Sequence, residues 1–222
     1  MAKSIARSGW KHIIATPHIM EGVYQNTPES IATAVQALNQ RLEKEGCPAT
    51  VWPGAEVYLH PELALWCREG RLPTLAGSGT HLLIELPHTS LPLYAETVLF
   101  ELMLQGITPV IAHPERQQQL AQDLERVAAW VERGVWLQLN APSLLGRYGR
   151  RAKSTAMELV KEGLVHCLGS DSHESRRPPA LSEAEKIIGR LRGGEKLVNR
   201  FWDNARAILK TANATGEERA LP

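Results

Sequence analysis

The sequence predicts an α/β fold with a barrel-like parallel sheet, and three observations carry that expectation. Short apolar runs alternate with longer stretches of helical period, the pattern of successive βα units. Several helical stretches open with Pro and close near Gly; Pro lacks an N–H that the first turn cannot use, and Gly accepts the left-handed turn that ends a helix. Imidazoles and carboxylates recur just beyond or at the end of apolar runs, in Thr16-Pro17-His18, Gly54-Ala55-Glu56, Leu83-Ile84-Glu85, Ala112-His113-Pro114-Glu115-Arg116 and Ser170-Asp171-Ser172-His173. A barrel gathers strand ends around one axial space, which an open doubly wound sheet does not do for so many strands.

Six strands are expected in order: His12–Thr16, Thr50–Trp52 continuing irregularly to Val57, His81–Leu86, Pro109–Ala112, Trp136–Leu139 and Val165–Gly169. Helices are expected over Pro28–Glu45, Pro61–Glu69, Pro92–Gln105, Gln117–Arg133 and Arg150–Glu162, with stops near Gly46, Gly70, Gly106, Gly134 and Gly163. Two more, about Leu181–Arg192 and Asp203–Ala212, follow the last strand, and Thr215–Pro222 reads as a frayed polar tail. The domain expectation is one unit over residues 1–212, with 213–222 as the tail.

The composition narrows the chemistry. The 222 residues carry a formal net charge of +1, and the longest basic clusters are Arg150-Arg151 and Arg176-Arg177, which disfavours duplex nucleic acid and polybasic membrane binding. No apolar run approaches bilayer length, and a cytoplasmic protein is expected. Cys47, Cys67 and Cys167 are odd in number and far apart, which fits a reducing compartment and signals neither a disulfide framework nor a thiolate zinc site. None is followed six residues later by Arg, so a Cys-x5-Arg phosphatase loop is excluded and phosphatase chemistry must use metal and water.

The candidate metal ligands are His18, Glu56, Glu85, His113, Asp171 and His173. They form an all-nitrogen and oxygen set suited to Zn, Mn or Fe. In a site of two or more ions a carboxylate such as Glu56 can bridge cations and a water can be activated between them. Asp171 and His173 would point opposite ways on an extended strand end, so both reach one site only if the chain turns there, as Gly169-Ser170 permits. Arg116 and Arg177 are candidates to clamp phosphate oxygens by bidentate hydrogen bonds. His12, His81 and His166 begin strands at the end away from the site and are assigned structural roles, His60 reads as a helix-entry residue, and His88 is ambiguous.

Ile14-Ala15-Thr16-Pro17-His18, Pro53-Gly54-Ala55-Glu56-Val57-Tyr58, Leu83-Ile84-Glu85, Pro109-Val110-Ile111-Ala112-His113-Pro114-Glu115-Arg116 and Ser170-Asp171-Ser172-His173, with Arg177-Pro178-Pro179, together resemble the PHP-domain protein-tyrosine phosphatases of bacterial capsular polysaccharide synthesis. The resemblance runs to about Leu209 and includes Gly22-Val23-Tyr24, Asn140-Ala141-Pro142-Ser143-Leu144 and Asp203-Asn204-Ala205. It implies a distorted seven-stranded (β/α) barrel, a multinuclear cluster preferring Mn2+, with Zn2+ or Fe as alternatives, and hydrolysis of phosphotyrosine by a metal-activated water. It further implies that His18, Glu56, Glu85, His113, Asp171 and His173 are metal ligands and that Arg116 and Arg177 bind the substrate phosphate. The implied partner is a phosphotyrosine protein, a bacterial tyrosine kinase of polysaccharide export.

The family's first strand carries a His-x-His pair followed by an acidic loop, and neither precedes His18 here; Met1–Gly9 instead resembles the end of the first helix. The expectation is therefore a barrel lacking its first strand. Two further readings follow: a catalytically impaired PHP-like binding protein, or another PHP phosphoesterase such as a histidinol-phosphatase-like enzyme.

Overall fold

The structure, a computed structural model, describes residues 2–7, 9–173 and 180–219. Within these, strands β1 (His12–Ala15), β2 (His18–Met20), β3 (Tyr24–Gln25), β4 (Thr50–Pro53), β5 (Glu56–Tyr58), β6 (His81–Glu85), β7 (Thr108–Ala112), β8 (Trp136–Asn140) and β9 (Cys167–Gly169) alternate with helices. The helices are α1 (Ala2–Arg7), α2 (Pro28–Lys44), α3 (Leu63–Arg68), α4 (Ala95–Leu104), α5 (Leu124–Glu132), α6 (Ala141–Leu144), α7 (Gly149–Lys161), α8 (Leu181–Gly189) and α9 (Gly194–Arg219). The main sheet has seven strands in the order β3-β2-β5-β6-β7-β8-β9, parallel from β2 to β9, with β3 antiparallel at the edge. β1 and β4 form a separate parallel pair.

The expected α/β architecture is present, with corrections in detail. The first expected strand is present as β1, and beyond Thr16-Pro17, where Pro17 has no N–H to donate to a ladder, the chain forms two further short strands, β2 and β3, that were not expected; the second expected strand is broken in two at Gly54-Ala55. A Cβ on Gly54 would stand 3.0 Å from Ile14 Cγ2 and 3.3 Å from the Ala15 carbonyl oxygen, so only Gly lets the two chains approach this closely. After the break the chains pair again, His18 beside Glu56, and Glu56 N–H donates to the Pro17 carbonyl at 3.1 Å. Among the described residues the sheet is open, since β3 and β9 are its two edges.

The helix over Gln117–Arg133 is also broken: a short 3-10 turn, Leu120–Gln122, precedes α5, and the Asp123 carboxylate caps α5 by accepting from Arg126 N–H at 3.0 Å. α9 begins nine residues before Asp203 and extends beyond Ala212 to Arg219, through positions read as tail.

Strand alternation puts two different apolar layers on the two faces of the sheet. Leu82, Ile84, Ile111, Leu137 and Leu139 pack under the helices, while Leu83, Val110, Ala112 and Cys167 form the other face with Ile208 and Ala212 of α9. Trp52 and Trp136 pack on that second layer. By the same parity Glu85, two residues after Leu83, and Asn140, four after Trp136, fall on this second face, opposite the helix-covered Val57 side from which Glu56 is also turned.

Candidate metal centre

The ends of β6, β7, β8 and β9, and the starts of β2 and β5 after their breaks, deliver polar side chains to one place. His113 follows β7 in a left-handed conformation, φ 33°, which swings its ring out of strand alternation. Its Nε2–H donates to Glu56 Oε1 at 3.0 Å and stands 3.8 Å from Glu85 Oε1. His18 Nδ1 faces Glu85 Oε2 at 3.5 Å, and its ring stacks on Tyr24 with centroids 5.3 Å apart. One donor atom from each of His18, Glu56 and Glu85 lies within 4.8 Å of the other two.

Beyond β9 the turn expected at Gly169-Ser170 lies at Asp171 itself, whose φ is 46°. The turn lets both Asp171 and His173 face the centre. His173 Nδ1–H donates to the Asp171 carbonyl at 3.1 Å, and its Nε2 stands 3.4 Å from His18 Nε2. Asp171 Oδ2 accepts from Arg116 NH1 at 3.1 Å, Asn140 Nδ2 at 2.7 Å and Tyr148 OH at 3.3 Å. The structure thus links His18, Glu56, Glu85, His113, Asp171, His173 and Arg116 through one continuous set of contacts. Arg177 lies outside the described residues.

Other histidines sort by position. His88, left open by the sequence, stands with Nε2 3.7 Å from Glu85 Oε1 and its ring stacked over His113 at 5.9 Å. His60 pairs with Glu21 at 3.3 Å and stacks on Trp66, at the entry to α3. His12 and His81 start strands, and His166 precedes β9 with its ring against Trp136.

Three residues had no role assigned in sequence: Asn140, Tyr148 and Glu115. Asn140 ends β8 fully buried, and Tyr148 lies under the Arg116 guanidinium at 4.5 Å. Glu115, 2% exposed, accepts from Asn140 N–H at 3.2 Å and from the Ser143 hydroxyl at 2.6 Å. The available signal was placement: Asn140 ends an apolar run as the acidic residues do, and Glu115 lies between His113 and Arg116.

The electrostatics favour a cation. Burial pushes the Glu56 carboxyl up, but the hydrogen bond and charge of His113, with His18 and His173 nearby, outweigh it and hold the group below its ordinary value. Burial pushes the His113 imidazole down, and the Glu56 hydrogen bond and charge reverse that to a net rise. Burial raises the Glu115 carboxyl despite its Ser143 hydrogen bond. His18 and His173 each turn Nδ1 to an oxygen, at 3.5 Å and 3.1 Å, and bring their Nε2 atoms to 3.4 Å from each other. Imidazole nitrogens and two carboxylates around one space fit a divalent borderline cation, and the absence of thiolates from the set fits Mn, Zn or Fe.

Comparison with known proteins agrees with this geometry. A family model described as "Capsular polysaccharide synthesis, CpsB/CapC" matches residues 1–210. The chain is 33% identical over 210 residues to the tyrosine-protein phosphatase YwqE of Bacillus subtilis, covering 95% of this chain and 82% of that one. It is 31% identical over 210 residues to the tyrosine-protein phosphatase CpsB of Streptococcus agalactiae, covering 92% and 86%. A solved structure from work on YwqE of B. subtilis and CpsB of Streptococcus pneumoniae, described as unique metal-dependent tyrosine phosphatases, superimposes with a TM-score of 0.85 at 34% identity, covering 95% of this chain and 85% of that one.

Proposed function

The chain belongs to the CpsB/CapC family of capsular polysaccharide synthesis, and from that premise we propose that the centre at the strand ends hydrolyses phosphotyrosine with the help of divalent metal. The observation that carries the reading is the convergence of His18, Glu56, Glu85, His113 and His173 beside the Arg116 guanidinium. The chain is a metal-dependent tyrosine phosphatase of the capsular type.

In this reading His18, Glu56, Glu85, His113, Asp171 and His173 hold the metal, in a multinuclear site that prefers Mn2+ and accepts Zn2+ or Fe. Divalent cations bound there supply charge for the phosphoryl oxygens and acidify water near neutral pH. Arg116 and Arg177 orient the phosphate; the planar guanidinium fork matches two phosphoryl oxygens. Glu56 keeps its carboxylate ionised against burial by its contact with His113. His88 stacks over His113 and stands beside Glu85 at the same edge of the cluster. The exposed Tyr24 of the β2–β3 hairpin stacks on His18 and, with the exposed Val23 preceding it, offers an apolar rim to a peptide.

The substrate proposed is a phosphotyrosine protein, specifically a bacterial tyrosine kinase of polysaccharide export, with residues 1–212 acting as one PHP-like domain. A cytoplasmic location fits the free thiols of Cys47, Cys67 and Cys167; among the described residues no helix is long and apolar enough to cross a membrane.

The test is hydrolysis of a phosphotyrosine peptide by the purified chain. Activity should require Mn2+ or a replacing divalent ion, vanish with chelator and vanish in His113→Ala. Full activity in chelator would refute the reading. Metal counting on the same sample separates an active enzyme from the binding-protein reading, since the enzyme should retain two or more ions per chain.

A further inference from the structure

Asp171 is the point where three strand ends are tied together. Its Oδ2 accepts three hydrogen bonds, from the Arg116 guanidinium on the β7 side, from the Asn140 amide at the end of β8 and from the Tyr148 hydroxyl at the start of α7. Its Oδ1 takes none of these and faces the His173 ring, with Nδ1 at 3.4 Å. One carboxylate oxygen is therefore saturated, while the other lies on the His173 side.

Two features show that the neutral donors are placed for this. Asn140 is 0% exposed, and its Oδ1 is buried without a partner among the described residues; burying an amide with one end unpaired costs stability, so its Nδ2–H toward Asp171 is the contact that accounts for an amide here. Its backbone is fixed too, by the N–H donated to the buried Glu115. Tyr148 serves two groups at once, its ring beneath Arg116 and its hydroxyl on Asp171.

Arg116 cannot spend the same N–H on Asp171 and on a phosphoryl oxygen. We propose that Asn140 and Tyr148 are positioning residues: they hold the Asp171 carboxylate by Oδ2, aim Oδ1 at the metal centre, and so allow Arg116 to leave Asp171 for the substrate phosphate. The inference rests on the metallophosphatase reading above. Tyr148 keeps the guanidinium over its ring while the partner changes, and Asn140 keeps Asp171 from following it.

The experiment titrates chelator-stripped full-length chain with MnCl2 by calorimetry, comparing wild type, Asn140→Ala and Tyr148→Phe. Groups that orient a metal ligand from behind typically alter metal affinity by about 10–100-fold. Asn140→Ala should weaken Mn2+ binding roughly tenfold, the lower end of that range, and Tyr148→Phe, whose contact is longer, less than that, roughly threefold. In the peptide assay at saturating Mn2+, Tyr148→Phe should lower kcat and leave KM unchanged, because its ring still supports Arg116.

Unchanged Mn2+ affinity in both variants overturns the proposal, and so does a rise in KM for Tyr148→Phe with unchanged metal binding. If Asn140→Ala does not fold, as judged by circular dichroism, Tyr148→Phe alone decides. A wild-type chain that binds no Mn2+, Zn2+ or Fe2+ refutes the metal centre and this inference with it, whereas a wild type that binds metal beside an indifferent Tyr148→Phe refutes this inference alone.

Discussion

His18 Nε2 and His173 Nε2 stand 3.4 Å apart, although His18 opens β2 and His173 follows β9 five strand positions away in the same sheet. In a flat sheet that separation would be about 24 Å at roughly 4.8 Å per strand. The sheet is therefore curled so that its first and last parallel strands face each other across the concave side. The cluster lies where the curl brings them together, and its two halves come from sequence positions 155 residues apart.

His18 Nε2 and His173 Nε2 are close enough for one cation to contact both, so an ion bound there would tie the two ends of the curled sheet together. Metal loading should therefore stabilise the fold as well as enable hydrolysis. At a free metal concentration one hundred times Kd the gain is about 2.7 kcal/mol, which for a chain of this size corresponds to a rise in Tm on the order of 5–10 °C. Differential scanning calorimetry with and without chelator checks it. His173→Ala should lose most of the metal-dependent shift.

Arg116 separates substrate binding from metal binding. Arg116→Lys keeps the charge but loses the planar fork and the stacking on Tyr148. KM for a phosphotyrosine peptide should rise roughly tenfold, about 1.4 kcal/mol of lost binding, with kcat changed less. Arg116→Ala should raise KM further. Steady-state kinetics at saturating Mn2+ reads both effects.

What could be read from the sequence was governed by strand-end placement. Glu85, His113 and Asp171 follow uninterrupted apolar runs, so their convergence was accessible once a curled parallel sheet was expected. The break at Gly54-Ala55 was not, because the chain resumes β pairing in the same direction and the pattern reads as one irregular strand, and β2 beyond Pro17 is too short for an alternation to be read. The left-handed turn at His113 uses a residue other than Gly and has no mark in the sequence, whereas the turn signalled by Gly169-Ser170 is displaced to Asp171. Asn140 and Tyr148 were passed over because neutral side chains carry no metal-ligand signal; their role is visible only from their distances to Asp171.

His166 supplies the pH dependence of stability away from the metal centre. Burial, and then the nearby Arg200 charge, push its pKa from 6.5 down to about 4, and its Nδ1 accepts from the Leu137 N–H at 3.2 Å, which requires the neutral ring. The unfolded chain takes up this proton below about pH 6.5 and the folded chain does not until about pH 4. Stability from this group is thus complete above pH 6.5 and falls as the pH drops toward 4. Allowing for partial solvent screening, the loss should be about 1–2 kcal/mol. Urea unfolding across this range should show a flatter profile for His166→Asn, whose side-chain oxygen can still accept from Leu137.

Gly54 tests whether the strand break sets the position of Glu56. Its φ is not in the left-handed region, so the demand is for space rather than for unusual backbone, and a Cβ there meets Ile14 Cγ2 at 3.0 Å, the Ala15 carbonyl oxygen at 3.3 Å and Leu75 Cα at 3.5 Å. Two of these three atoms are backbone and cannot rotate away. Gly54→Ala must therefore spread β1 from β4 by a few tenths of an ångström, which should cost about 1–2 kcal/mol by overpacking. The same displacement reaches Glu56 two residues on, where β5 pairs with β2 beside His18. Mn2+ affinity should fall together with the unfolding free energy. A stable Gly54→Ala variant with unaltered metal binding would show that the break and the cluster are independent.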